Sequence, residues 1–483
     1  MDQKKIIKIC SLILGIYLII AVGFYWIGGD QLRFREAHTD MVTNSGNVEE
    51  ITSDMVLEQK IAVPGSRLSA ISFMAGTYTR ENSGILQLEI CSLDGKTLAV
   101  QTVELNSLKD NAIFLVQFPN AVELPENKVL MRITAPQSEP GNAVTLYTGN
   151  TVSTGRHELN MTISEEERLS INGDVRNDVL CSQIYAQEVL FFGEYYWVFA
   201  ITVFILLGAV LLNTILRNKK GKHTVLLKAF SVWERYRYLM KQLVQRDFKT
   251  KYKRSVLGMF WSFLNPLLTM MVQYVIFSTL FKSDIPNFAV YLLTGIVCYS
   301  FFNEATTMAL GSIVGNAPLI TKVYVPKYIY PLTRVISSLI NFLLALIPLV
   351  MVLLVTRTPI RPAILLLPFG VLCLFMLSLG IGLILATAMV FFRDMQFLWG
   401  VLCMMWMYAT PIFYPISIIP PAFMTLFKCN PLYHVIRFIR IILIDGVSPE
   451  PKAYLFCILT TLIPLLIGLF VFKRHQNEFV LNL

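Results

Sequence analysis

The chain has 483 residues, 55% of them hydrophobic and 15% charged, with a formal net charge of +9 at pH 7. A mean hydropathy of +0.58 implies far more apolar surface than one globular core can bury, which excludes a soluble enzyme and indicates a polytopic membrane protein. The eight cysteines show no CxxC or CxxH spacing, which argues against a metal site.

Apolar runs of about 20 residues, the length a helix needs to cross the hydrocarbon layer, occur near residues 6–27, 196–216, 256–281, 288–308, 331–355, 363–392, 397–414 and 453–472. The expected fold is a polytopic α-helical membrane protein of about eight transmembrane helices, with both termini on one side. Residues 1–27 read as an uncleaved anchor helix, because Lys4 and Lys5 precede an apolar run too long for a signal peptide and no small-residue cleavage site follows.

Residues 28–194 form a separate polar block with 12 Lys and Arg against 23 Asp and Glu, net −11, which leaves 29 basic and 9 acidic residues elsewhere, net +20. The positive-inside tendency places this block outside the cell. Residues 217–254, with 13 basic and two acidic side chains, and Lys473 with Arg474 belong in the cytoplasm, and so do both termini.

Within the block, Leu86, Leu88 and Ile90 alternate with Gln87 and Glu89, and Val129, Met131 and Ile133 alternate with Leu130, Arg132 and Thr134. Period two means half-buried strands, and Asp94-Gly95, Pro119-Asn120 and Pro140-Gly141 supply turns, so a β-sandwich or jelly-roll is expected, with a short polar helix over 164–169. The Gly95-Lys96-Thr97 triplet lacks the glycine that a phosphate-binding loop needs five residues earlier, and it reads as a hairpin turn. Cys91 and Cys181 are the two cysteines of this block, and one bridge between them is open. Exposed Phe73, Tyr78 or Tyr147 would suit a glycan-binding face; docking of a cell-wall transferase, or a simple cap, are the other roles open to the block.

Residues 195–216 form a second span, and 217–255 a basic linker with an amphipathic interface helix. Over 233–250, Trp233, Tyr236, Leu239, Met240, Leu243 and Val244 recur at helical spacing among Arg235, Arg237, Lys241 and Arg246. The helix runs into RDFKTKYKRSVLGMFWSFLNPLLTMM at 246–271, where Lys249, Lys251, Lys253 and Arg254 fall at headgroup depth and an apolar span follows at once. The remaining residues, 256–483, hold six spans. Two further segments stand out among them: GNAPLITKVYVPKYIYPLTRV at 315–335, and FRDMQFLWGVLCMMWMYATPIFYPISIIP at 392–420 followed by NPLYHVIRFIRIILIDG.

These segments, in this order and spacing, resemble the permease subunit of type-2 ABC transporters, specifically the branch that exports polysaccharides, O-antigens, capsules and teichoic acids. The resemblance covers about half the chain and leaves out the first two spans and the acidic block. It implies a pair of permeases working with a dimer of ATPases, with ATP and Mg held by the ATPase. No nucleotide-binding motif or other cofactor site occurs in this chain, and nothing points to nucleic acid as a partner. The implied cargo is an undecaprenyl-linked polysaccharide or teichoic-acid-like polymer moving outward across a bacterial plasma membrane.

The resemblance assigns three groups of residues. Pro318, Pro326 and Pro331 break the second segment into a short helix lying across the membrane surface, and in the family this element docks into the ATPase through positions matching Leu319, Ile320, Lys322, Val323, Tyr324 and Pro326. An ordinary connector would not expose Leu319, Ile320, Val323 and Tyr324 to water. The basic helix becomes a gate for the lipid headgroup, with Arg246, Lys249, Lys251, Lys253 and Arg254 as its contacts; a plain positive-inside anchor is the competing account. Trp261, Tyr274, Phe302, Trp406 and Tyr408 are candidates to line the channel and stack on sugar rings, a use that competes with membrane-core packing. Glu304, an acidic residue within a span, faces either the channel or a partner such as Arg334 or Arg393. Residues 411–440 are too apolar for a solvated loop and too proline-rich to span, so they read as re-entrant half-helices, with Arg437 and Arg440 either meeting an anionic glycan or snorkelling to the interface.

Two other classes compete. A membrane sensor would read a ligand through residues 28–194, yet nothing downstream resembles a signalling domain. A polytopic glycan synthase or ligase needs outward-facing acids, for which the loops provide Asp284, Asp445 and Glu450.

Overall fold

The computed structural model describes residues 3–154, 157–160, 164–219, 224–253, 258, 260–281 and 287–482. The chain divides into two compact units, one made of residues 1–31 and 196–483 and the other of residues 32–195.

The smaller unit is strand-rich. A six-stranded antiparallel sheet runs in the order Asp174–Val175, Ser170–Ile171, Val56–Ala62, Lys128–Thr134, Ile85–Cys91 and Thr97–Glu104. A second sheet of seven strands is built around Arg67–Gly76, which pairs with both Ser182–Val189 and Ala112–Glu123. Leu57, Leu88, Ile90, Met131 and Ile133 of the first sheet share one buried cluster with Leu68, Ile71, Phe73, Val116 and Ile184 of the second. The alternation read over 86–90 and 129–134 is therefore the inward and outward pleat of real strands. The Gly95-Lys96-Thr97 triplet sits at a hairpin turn, with Gly95 at φ +83° and the Ser92 amide donating to the Lys96 carbonyl at 2.8 Å.

Two expectations for this unit are corrected, and the bridge left open by the sequence is not formed. The helix over 164–169 is a single 3-10 turn at Glu165–Glu167, since three successive glutamates repel and have no apolar face to bury. Phe73 is enclosed between the sheets against Phe114, because its position in the pleat points inward, so it is not available to a glycan. Cys91 and Cys181 are both free and buried, Cys181 in a small cluster with Val42 and Val179. Burial pushes the Cys181 thiol up to about 12.

Helices make up the larger unit. In chain order the helices are α1 (Gln3–Arg33, interrupted at Gly29), the short α2 (Phe191–Glu194) that closes the strand-rich unit, α3 (Tyr196–Lys219), α4 (Val225–Tyr252) and α5 (Phe260–Phe281). There follow α6 (Phe288–Leu310), α7 (Ala317–Lys322), α8 (Ile329–Val355), α9 (Leu367–Phe391), α10 (Met395–Tyr408), α11 (Pro421–Lys428), α12 (Pro431–Arg440), α13 (Pro451–His475) and α14 (Phe479–Asn482). Among the described residues, seven helices are long and apolar enough to cross a membrane. The expected eighth span, 397–414, is the 14-residue α10 followed by a turn. At 1.5 Å per residue α10 reaches about 21 Å, short of a hydrocarbon layer of about 30 Å; Pro411 stops it.

After α10 the backbone turns through Pro411 and Ile412 into α11 and α12, each with proline in its first turn. The carbonyls freed at this turn find a donor inside the protein, as an apolar environment demands. Arg440 is buried and donates to the carbonyls of Pro411 (2.7 Å), Ile412 (3.0 Å) and Tyr291 (3.0 Å), with its guanidinium over the Tyr291 ring. Arg440 is thus a brace for the turn, which corrects its reading as a glycan or interface contact.

Helix α6 packs against α8 and α9, and α9 against α13. Gly380 of α9 lies against the α13 backbone, and a Cβ placed there would come within 2.5 Å of the Leu465 amide nitrogen. Replacing Gly380 by valine is expected to separate α9 from α13 and cost about 1–3 kcal/mol, seen as a lower melting temperature of the purified protein in detergent.

Candidate functional site

The site is built around the C-terminal end of α4. This helix starts at Thr224, whose side chain accepts from the Leu227 amide, and buries Met240 and Leu243 with half-buried Tyr236 and Leu239 against Ile320, Tyr330 and Leu383. Trp233, expected on the same face, is instead exposed, because its neighbour Val232 takes the inward position, one turn before Tyr236. The N-terminal half of α4 meets α1 and α3: Ile6, Cys10, Leu211 and Leu227 form one small cluster, and Lys5 donates to Glu234, which holds that carboxyl below its usual range.

One turn beyond Leu243, the inward position is taken by a carboxylate. Asp247 has a side chain only 3% exposed, and it accepts from Arg334 of α8 at 2.9 Å, Ser337 at 3.3 Å and its neighbour Arg246 at 3.3 Å. Arg246 also donates to the Asn316 side chain at 3.2 Å, and Asn316, whose amide donates to the Ser312 carbonyl at 2.7 Å, is the residue from which α7 starts. A buried carboxylate therefore joins α4, α8 and the start of α7 in one set of charge-assisted hydrogen bonds.

A second polar group lies one turn further along. Lys251 donates to Glu304 of α6 at 2.8 Å, Asn341 of α8 donates to the same Glu304 oxygen at 2.6 Å, and the Tyr252 hydroxyl bonds Asn341 at 3.0 Å as well as Ser262 of α5. Glu304 is thus paired, but with Lys251 rather than with Arg334 or Arg393; Arg334 belongs to Asp247. Two cavities meet here. One of about 350 Å³ is lined by Trp261, Asn265, Phe301 and Asn341, another of about 610 Å³ by Arg246, Asp247, Met308 and Arg334, and Lys251 and Glu304 line both.

Of the proposed gate residues, Lys249 and Lys253 are exposed, Arg246 and Lys251 are engaged as described, and Arg254 lies outside the described residues, as does Asp284. Helix α7 is six residues long, with Pro318 in its first turn. Beyond it Val323 and Tyr324 project outward, Tyr324 with 94% of its surface exposed, and Lys322 is exposed while Pro326 is half-buried. Ile320 instead turns into the cluster with Val325 and Tyr330, and Leu319 packs against it, which corrects the expectation that four apolar side chains face water. Two of them are anchors for the helix that presents the other two. Lys327 follows, donating to the Gln476 carbonyl, and burial pulls its pKa down from the usual lysine value.

The aromatic candidates separate. Trp261, Tyr274 and Tyr408 are exposed, and Trp261 lines the smaller cavity. Trp406 is half-buried and donates to Asn430 at 2.9 Å. Phe302 is fully enclosed against Trp399 and Trp406 and lines neither of these two cavities; its neighbour Phe301, rotated about 100° around the helix, lines the smaller one in its place. Asp247, Asn316 and Asn341 were missed by sequence reasoning. Asp247 carried a signal, since it occupies the core-facing period of α4 three to four residues after Leu243 and Val244.

A helical bundle in which, among the described residues, seven helices are long and apolar enough to cross a membrane is that of a polytopic membrane protein. Residues 238–444 match the ABC-2 type transporter family. The chain is 31% identical over 244 residues to the O-antigen export system permease protein RfbA of Klebsiella pneumoniae, covering 50% of this chain and 93% of that protein. It is also 31% identical over 248 residues to the RfbA protein of Myxococcus xanthus, covering 95% of it, and 25% identical over 256 residues to the polysialic acid transport protein KpsM of Escherichia coli, covering 98%. The chain belongs to the ABC-2 type transporters, whose permeases work with a separate ATPase.

Removing the carboxylate of Asp247 leaves Arg334 without its ion partner. Asp247→Ala is expected to cost about 3 kcal/mol and Asp247→Asn less; thermal unfolding of both variants in detergent checks the order.

Proposed function

We propose that this chain is the permease of an ATP-driven exporter of a lipid-linked cell-surface polysaccharide in a bacterial plasma membrane. Two copies would enclose the passage, and two ATPase subunits holding ATP and Mg would dock on α7 of each. The reading is supported by the family, by the polysaccharide-related names of the relatives, and by the combination of Tyr324 exposed beyond α7 with the hydrogen bonds from α4 to the residue where α7 starts. The last of these carries it, since Arg246 bonds both Asn316 and Asp247, so a push on α7 reaches Asp247 and Arg334 through one side chain.

In this reading both termini and the basic stretch 217–254 are cytoplasmic, and the acidic strand-rich unit is outside the cell, where its two-sheet core is of jelly-roll kind. The exposed Lys249 and Lys253 meet anionic headgroups, α11 and α12 sit at the outer end of the passage, and Trp261, Tyr274 and Tyr408 offer rings on which successive sugars stack.

Tyr324→Ala is expected to leave a folded permease that binds its ATPase roughly 30-fold more weakly, the scale of a large aromatic anchor lost from an interface; co-purification titrations and ATPase assays check this, and wild-type coupling would remove α7 from the role. Reversing Lys249 and Lys253 to glutamate is expected to abolish surface polysaccharide while membrane insertion stays intact, measured by labelling of the cell surface alongside membrane fractionation.

A further inference from the structure

Lys251 and Glu304 form the shared wall between the two cavities. Their side chains are 43% and 29% exposed, so the ion pair is partly open to the cavities and worth little to stability. The same Glu304 oxygen that accepts from Lys251 also accepts from the Asn341 amide at 2.6 Å, and Asn341 is itself held by the Tyr252 hydroxyl at 3.0 Å. If Lys251 moves away, the carboxylate keeps a hydrogen-bond donor, so opening the pair strands no buried charge.

The larger cavity is lined by the cations Arg246, Lys251 and Arg334 and by the carboxylates Asp247 and Glu304. Asp247 is locked between Arg334, Arg246 and Ser337, whereas among the described residues the one cation paired with Glu304 is Lys251. Releasing that one contact presents an ammonium to the cavity beside two guanidinium groups.

We propose that Glu304 is a built-in competitor for Lys251: its carboxylate occupies the ammonium in the unloaded permease, and a phosphoryl group must displace it to be accepted. A pyrophosphate has more charge and more acceptor oxygens than one carboxylate, so it wins the exchange, while a neutral headgroup leaves the pair closed. Glu304 thereby sets specificity for phosphorylated cargo, and Asn341 parks it when displaced. The inference rests on the exporter reading for the identity of the cargo, but the competition itself is a property of this chain.

The test uses the full chain in lipid nanodiscs, with quenching of Trp fluorescence by farnesyl pyrophosphate, inorganic pyrophosphate and farnesol as probes. Glu304→Gln, which keeps a hydrogen-bond partner for Asn341, is expected to bind farnesyl pyrophosphate about tenfold more tightly, and Lys251→Gln about tenfold more weakly. In the Lys251→Gln background the Glu304→Gln gain should vanish, because there is no ammonium left to release. Inorganic pyrophosphate bound as tightly as the farnesyl form supports competition by the free anion, and weaker binding supports a lipid headgroup. Unchanged affinity in Glu304→Gln at unchanged melting temperature overturns the proposal, as does equal binding of farnesol. Surface polysaccharide in cells tests the exporter reading separately: if it is absent while the competition holds, that reading falls and the phosphoryl site stands.

Discussion

A carboxylate cannot be removed from water without partners, and Asp247 has three: Arg334 on the neighbouring span, Ser337 one turn along it, and Arg246 beside it. That requirement positions α4. The helix is amphipathic and would lie on any apolar surface, but only one placement brings Asp247 within hydrogen-bond distance of α8. With α4 so placed, Arg246 reaches Asn316 where α7 begins, and Lys251 reaches Glu304 on α6. Helices α7 and α4 and the cavity wall are thus tied to one another by this buried charge together with the apolar cluster around Met240 and Leu243.

A second constraint acts at the other end of the bundle. Where α10 stops short, the chain turns back within apolar surroundings, and its carbonyls need donors from the protein. Arg440 supplies them at Pro411 and Ile412, and Asn430 bonds the Trp406 indole, the Thr410 hydroxyl and the Ala409 carbonyl. Both polar residues belong to the returning segment, so the turn and the half-helix after it stabilise each other. Gly370 of α9 lets the returning helix α12 come close, since a Cβ there would lie 2.8 Å from Ile439 Cγ1.

Patterns repeating over many residues were legible in the sequence. Period-two alternation marked the strands at Ile85–Cys91 and Lys128–Thr134, and long apolar runs marked seven spans. Single residues were less legible, because their roles depend on neighbours remote in the chain. Phe302 and Phe301 are adjacent aromatics on one helix, and only packing shows that the first is enclosed while the second faces a cavity. Arg440 reads as a surface cation until the turn at Pro411 is seen to lie beside it. Ile320 looks like an exposed apolar residue of a short connector until Val325 and Tyr330 close over it.

Sequence alone determined the class of molecule, since hydropathy, charge asymmetry and the spacing of prolines are local quantities set by composition along the chain. The partners of the charged residues were decided only in three dimensions. Asp247 lies 87 residues from Arg334 and Lys251 lies 53 from Glu304, and a salt bridge over such separations follows from which helix faces meet, a choice made by the packing of the entire bundle.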